Sequence, residues 1–288
     1  MVSPAQNFSI SGFLKLTRIG NLLIILLAEY FTVYFLIAAP EERMTYILSE
    51  KLFLLVLSSL IIAAAGYVIN DYYDVKIDYI NKPDRVVVGK VIKRRIVMVA
   101  HTILNVAGIT IGYLVSPTIA IINFGCALLL WLYSNQLKRL ALIGNVAVAI
   151  LTGLSVYILE IVYQTDNTFI LIYALFAIGF TLIREIIKDL EDMKGDATFG
   201  CQTLPLVLGI RKTKIVILLF ALLMVSAISI LIYQSTATHH LWLMAGNAFA
   251  VTVILVLLGR ADTVKQFHQL STLTKVLMLL GILSMALV

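Results

Sequence analysis

The chain has 288 residues, of which 61% are hydrophobic and 13% charged, and its formal net charge is +6. A mean hydropathy of +0.99 excludes a soluble globular domain, which needs more polar surface, and leaves room for one compact helical bundle. The positive excess follows membrane orientation rather than nucleic-acid binding, and two cysteines, Cys126 and Cys201, with four scattered histidines give neither a disulfide framework nor a zinc-ligand spacing.

Residues 1–18 are mixed and polar, and the apolar stretch after them is too long for the core of a cleavable signal, so it reads as a first span. Nine spans are predicted, at 19–39, 52–70, 96–115, 118–134, 141–163, 169–187, 215–233, 241–258 and a short last one at 273–288. Runs of about 20 apolar residues cross a hydrocarbon core of roughly 30 Å. Helices satisfy their own backbone groups there, so the expected fold class is all-α: a polytopic membrane bundle, with residues 1–288 forming one domain. With nine spans, 20 of the Lys and Arg residues fall on one face, and only Arg43 and Lys51 on the other. Loops rich in Lys and Arg stay cytoplasmic. The chain is therefore expected in the inner or plasma membrane, with its N-terminus inside and its C-terminus outside. The outer connections, such as Ser116-Pro117 and Gln164 to Asn167, are short, whereas the inner loops after spans two and six are expected to be long, at about 20–25 residues.

Both of those inner segments are acidic. Asp71, Asp74 and Asp78 read D-x-x-D-x-x-x-D, and so do Asp189, Asp192 and Asp196, 118 residues later. If the helices continue through these motifs, each set of carboxylates shares one face, and Asn70, Asp74 and Asp78 form a second row. Stacked like charges disfavour a helix, so a cation should compensate them. Hard oxygen donors without His or Cys select magnesium or calcium, and magnesium is typically held by a few carboxylates together with substrate phosphates. The pattern predicts a metal site of Asn70, Asp71, Asp74, Asp78, Asp189, Asp192 and Asp196 on the cytoplasmic side, with a diphosphate between the two clusters.

Basic residues lie near these motifs: Arg85 in Asn81-Lys82-Pro83-Asp84-Arg85, Lys138 and Arg139 after Tyr133, Arg184 and Lys188 one turn ahead of the second cluster, and Arg18 with Asn21 at the first span. Guanidinium and ammonium groups clamp phosphate oxygens and stabilise a departing diphosphate. Orientation by positive charge alone would also place many of them. Glu29, inside the first span, is a further candidate, because intramembrane carboxylates are functional by default. Glu160 lies near an outer end. Asn105, Asn123 and Asn247 read as interhelical hydrogen-bonding residues, Gly108-x-x-x-Gly112 as close helix packing, and His101 as a packed residue.

Asn70-Asp71-Tyr72-Tyr73-Asp74-Val75-Lys76-Ile77-Asp78 with Asn81-Lys82-Pro83-Asp84-Arg85 and Gly89 resembles the first signature of the UbiA family of intramembrane prenyltransferases. Lys188 through Asp196, with Thr203-Leu204-Pro205 and Gly209, resembles the second, and Tyr133 through Arg139 a third patch. The chain departs from the first signature at Arg85-Val86, where a proline usually follows the arginine. The resemblance covers the whole chain. It implies an isoprenyl diphosphate substrate docked on Mg2+, ionisation at the allylic carbon, and attack by a lipophilic acceptor. Asp74, Asp78, Asp192, Asp196, Lys138 and Arg85 would be catalytic, and Asn21, Arg18, Tyr133, Arg139 and Lys188 would bind the diphosphate. Acceptors within the family include aromatic quinone precursors and the glycerol hydroxyl of an ether-lipid precursor. Overall similarity favours geranylgeranylglycerol phosphate, with geranylgeranyl diphosphate as donor. Lys93, Arg94, Arg95 and Arg18 would supply positive charge for its phosphate. A divalent-cation transporter is the alternative from another class, but the cations beside the acids suit a diphosphate better than a cation path. The CDP-alcohol phosphotransferase signature, which needs Ala-Arg after its first Asp pair, is not matched.

Overall fold

A computed structural model describes residues 10–234 and 240–288, apart from the side chains of Ile10, Arg85 and His240. Its helices are α1 (Ile10–Leu16), α2 (Ile19–Phe31), α3 (Arg43–Ile47), α4 (Glu50–Asn81), α5 (Arg94–Val115), α6 (Pro117–Asn135), α7 (Ile143–Tyr163), α8 (Thr168–Thr198), α9 (Leu204–Gln234), α10 (His240–Arg260) and α11 (Val264–Leu283). A π-helical turn, Thr32–Ile37, extends α2. Among the described residues, nine helices are long and apolar enough to cross a membrane, and the only β-type pairings are two isolated bridges. The nine-helix, all-α expectation holds.

Four boundaries differ markedly from the sequence reading, one of them the start of α9, at Leu204 rather than 215, with a non-helical break at Gly209. The long loops expected after spans two and six are largely helix: α4 runs on to Asn81 and α8 to Thr198, carrying all six motif aspartates on continuous helices. Charge lowers the hydropathy there without breaking the helix. The last span begins at Val264 rather than 273. Thr263 caps α11 in a capping box with Gln266, and Phe267 and Leu270 are buried, so a polar-looking first half is a packed helix.

The described residues divide into two compact units: residues 10–27, 44–138 and 194–199 form one, and residues 28–43, 139–193, 200–234 and 240–288 form the other. In the first unit, α4 packs closely with α5 and α6. A Cβ added to Gly66 would lie 2.8 Å from Leu130, and one added to Gly108 would lie 2.8 Å from Ile62. Such close approach gains dispersion contacts, which drive helix association in lipid. Asn123 Nδ2 donates to the Gly108 carbonyl at 3.1 Å, and His101 Nδ1 sits 3.0 Å from the Ala65 carbonyl, within reach of Asn105. The packing roles read for Asn123, Gly108 and His101 are the ones observed, whereas Asn105 bonds His101 within α5 rather than a neighbouring helix. Ile103, Val106, Ile121 and Phe124 remain exposed, as lipid-facing side chains do.

The second unit centres on α8. Phe180, Ile183, Ile186 and Ile187 are buried together with Ile217, Ala221, Ile254 and Phe267. Glu29 is fully buried in this unit. Glu160 accepts from Thr165 Oγ1 at 2.6 Å and the Asp166 N–H at 2.8 Å, so it closes the turn between α7 and α8. Asn247 makes no hydrogen bond through its buried amide among the described residues, contrary to the role read for it.

Candidate active site

The first motif belongs to the first unit, on the last three turns of α4. The cationic compensation that its stacked carboxylates require is present. Arg18 Nη2 donates to Asp71 Oδ1 at 2.8 Å, and Lys138 Nζ donates to Asp74 Oδ1 at 2.5 Å. Lys138 and Asp74 are 10% and 15% exposed, so this ion pair is largely out of water. Arg18 also stacks over Tyr67, 5.1 Å from the ring centroid. Burial works against the charge on Arg18, but Asp71 and Tyr67 outweigh it and hold the guanidinium above its ordinary pKa. Arg18 adopts a positive φ of 50°, an uncommon conformation for a non-glycine residue, in the break between α1 and α2 that brings its side chain to Asp71.

Asn21 lies one turn after Arg18, its N–H bonded to the Arg18 carbonyl at 2.7 Å. Tyr133 lies on the last turn of α6, just ahead of Lys138. Arg85 ends a 3-10 turn, Pro83–Arg85, and its side chain falls outside the described residues. Arg94 stacks over Tyr72 at 4.6 Å, which occupies one of the cations read as an acceptor-phosphate ligand.

The second motif divides. Asp196 is counted in the first unit, and Asp189 and Asp192 in the second. Within the first unit, the Gly195 N–H donates to Asn81 Oδ1 at 2.9 Å, so the Asp196 end of α8 is tied to the end of the first-motif helix. Within the second, Asn145 Nδ2 of α7 donates to Asp189 Oδ2 at 2.9 Å. Glu191 points the other way and meets α11 through His268 Nδ1 at 2.9 Å and Ser271 Oγ at 3.3 Å. Lys188 Nζ and Arg184 Nη1 both bond Glu185 at 2.8 Å. Arg139 is exposed, and its carbonyl accepts from the Gln202 N–H at 2.7 Å.

The sequence reading passed over Asn145, Glu185, His268 and Ser271. Glu185 carried a usable signal, a carboxylate near the motif end of a span. The other three are single polar residues whose partners lie 44 or more residues away in the chain.

The donor set suits magnesium. It is all oxygen, and Asn70 Oδ1, in line with Asp74 and Asp78, is buried with no hydrogen-bond partner among the described residues. Among those residues no three acidic, His or Cys side chains form a finished metal cage. A magnesium ion that shares its coordination with phosphate and water needs only one or two carboxylates.

Fold and motifs together define a polytopic membrane protein with two acid-bearing helices, the first of which holds the cations Arg18 and Lys138. The chain belongs to the UbiA prenyltransferase family, whose pattern it matches over residues 26–286. A Digeranylgeranylglyceryl phosphate synthase of Saccharolobus solfataricus is 31% identical over 287 residues, covering 96% of each chain. That of Methanoculleus marisnigri is 38% identical over 212 residues, 72% of each chain. Among solved structures, one of Digeranylgeranylglyceryl phosphate synthase superposes with a TM-score of 0.72 at 26% identity, over 97% of this chain and 99% of that one. A UbiA homolog from Archaeoglobus fulgidus bound to DMAPP and Mg2+ shares the fold, with a TM-score of 0.71 at 13% identity over 96% of this chain and 99% of that one.

Proposed function

We propose that this prenyltransferase moves a geranylgeranyl group from geranylgeranyl diphosphate to the glycerol hydroxyl of geranylgeranylglycerol phosphate. The observation that carries the diphosphate chemistry is the acid-bearing α4, whose carboxylates hold Arg18 and Lys138 at hydrogen-bond distance. A diphosphate needs a metal held by carboxylates and cations that face its oxygens, and this helix end has both kinds of group. The acceptor assignment is supported by the likeness to Digeranylgeranylglyceryl phosphate synthases along nearly the whole chain.

Asn70, Asp71, Asp74, Asp78, Asp189, Asp192 and Asp196 are proposed to hold Mg2+ directly or through water. When bound, Mg2+ neutralises the diphosphate and makes it a better leaving group. Lys138, Arg18, Arg85, Arg139 and Lys188 clamp phosphate oxygens, while Asn21 and Tyr133 supply neutral hydrogen bonds. Arg18 and Lys138 exchange part of their carboxylate contact for phosphate contact as the substrate arrives. The apolar helices around this charged patch accept the polyprenyl tail and exclude water from the allylic centre. Magnesium affinity is then linked to the diphosphate. Calorimetric titration should show weak Mg2+ binding alone and much tighter binding with geranylgeranyl diphosphate present. Equally tight binding without it, as in a cation transporter, would contradict this reading.

The motif face is proposed to be cytoplasmic, with the N-terminus inside and the C-terminus outside, because among the basic residues of the loops and span ends only Arg43 and Lys51 fall on the other face, Lys275 lying within α11. With Cys126 and Cys201 replaced, single cysteines at Asp84 and Arg211 should react only with reagents that reach the cytoplasm, and one at Gln164 only with reagents outside. Labelling of positions 84 and 164 from the same side would refute the orientation.

A further inference from the structure

One stretch of α8 is polar where the span is otherwise apolar. Glu185 precedes Asp189 by four residues, about 6 Å along a helix, on the side away from the end of α8. Its side chain is 10% exposed and is held by Arg184 Nη1 and Lys188 Nζ at 2.8 Å each. Two more polar groups of this stretch, Thr181 Oγ1 and Arg184 Nε, are buried with no hydrogen-bond partner among the described residues. Thr181 itself is 5% exposed. A threonine inside a helix normally bonds the carbonyl four residues back, as Thr152, Thr213, Thr252 and Thr274 do here. Thr181 does not, so its hydroxyl stays available. The i, i+3 and i, i+4 spacings put Thr181, Arg184 and Glu185 on one strip of the helix, and Glu185 and Asp189 share that strip in turn.

The strip therefore offers a donor that lacks an acceptor, a hydroxyl that lacks any partner, and a carboxylate. A lipid alcohol complements all three, since its oxygen accepts and its O–H donates. We infer that Thr181, Arg184 and Glu185 form the subsite for the acceptor's hydroxyl, with Glu185 as the base that takes its proton. This rests on the hydroxyl acceptor of the proposed function. The placement fits the reaction, because the carbon under attack lies beside the diphosphate on its tail side. Glu185 lies one turn from Asp189 on the apolar side of that motif. In the step, the acceptor oxygen forms a bond to the allylic carbon and its proton passes to Glu185. The bond from that carbon to the diphosphate oxygen breaks, and its electron pair leaves with the diphosphate. Glu185 then loses the proton to solvent. Lys188, hydrogen-bonded to Glu185 and proposed as a diphosphate ligand, couples the base to the leaving group.

The test uses the full-length enzyme in lipid nanodiscs with geranylgeranyl diphosphate and Mg2+. Wild type is first assayed with geranylgeranylglycerol phosphate; if it makes no product from that lipid yet prenylates an aromatic acid, the hydroxyl-acceptor reading itself fails. If wild type does use the lipid, Glu185→Gln should cut kcat by about 10²-fold or more, the usual range for loss of a general base. Its affinity for a thiolo analogue of geranylgeranyl diphosphate should stay within about threefold of wild type. A thiol analogue of the acceptor, more acidic than the alcohol, should recover much of the lost rate, a rescue that a merely structural carboxylate would not give. Thr181→Val should raise KM for the acceptor several-fold and leave that for the donor unchanged. Full activity of Glu185→Gln with the alcohol, equal loss with alcohol and thiol, or a matching loss of donor binding would overturn the inference.

Discussion

Asp74→Asn and Asp192→Asn are each expected to lower kcat by at least about 10²-fold, the scale on which single charge-stabilising groups act in a transition state, while leaving a folded, inserted protein. Both changes keep side-chain volume and remove a carboxylate proposed to face Mg2+ or its bound water. Asp74 is anchored by Lys138, and Asp192 follows Asp189 by one turn on α8. Neither packs an apolar core, so thermal unfolding should report little change for Asp192→Asn. Excess Mg2+ should not restore the rate. If either variant kept a large part of wild-type activity at saturating Mg2+, a site using both motifs would be refuted.

Lys138→Met should damage both stability and turnover, for separable reasons. The change removes the cation from a pair whose members are 10% and 15% exposed and strands the Asp74 carboxylate. Stranding one partner of a buried pair costs about 3–5 kcal/mol, while replacing both with neutral groups is often close to neutral. Because the pair is not fully dry, the low end of that range applies. The double variant Lys138→Met with Asp74→Asn should thus regain most of the lost thermal stability in detergent. Its activity should remain at or below that of Lys138→Met, because both proposed phosphate and metal contacts are gone. A double variant no more stable than Lys138→Met would mean that the ion pair does not set the cost.

The spans were legible because lipid imposes a length and an apolarity that few other constraints produce. The acidic motifs were legible as a repeat, and the stacking of Asp71, Asp74 and Asp78 required cations that the structure supplies in Arg18 and Lys138. Which cation meets which carboxylate was not legible, since the partners lie 53 and 64 residues apart in the chain. Helix continuation through the motifs was hidden by the charges themselves, which depress hydropathy without preventing a helix once they are paired. The first half of α11 was hidden in the same way, with Thr263 and Gln266 as the overlooked start signal. Asn145 escaped notice because an isolated polar residue in an apolar run has no periodicity to mark it.

The central claim is tested most directly by the product. Purified protein in lipid nanodiscs is given labelled geranylgeranyl diphosphate, Mg2+ and an equimolar mixture of geranylgeranylglycerol phosphate, 4-hydroxybenzoate and a naphthoate. The account predicts one labelled product, the ether digeranylgeranylglyceryl phosphate, which is abolished by EDTA and restored by Mg2+. Label appearing instead on either aromatic acid, with the glycerol lipid left unreacted, would contradict the acceptor assignment.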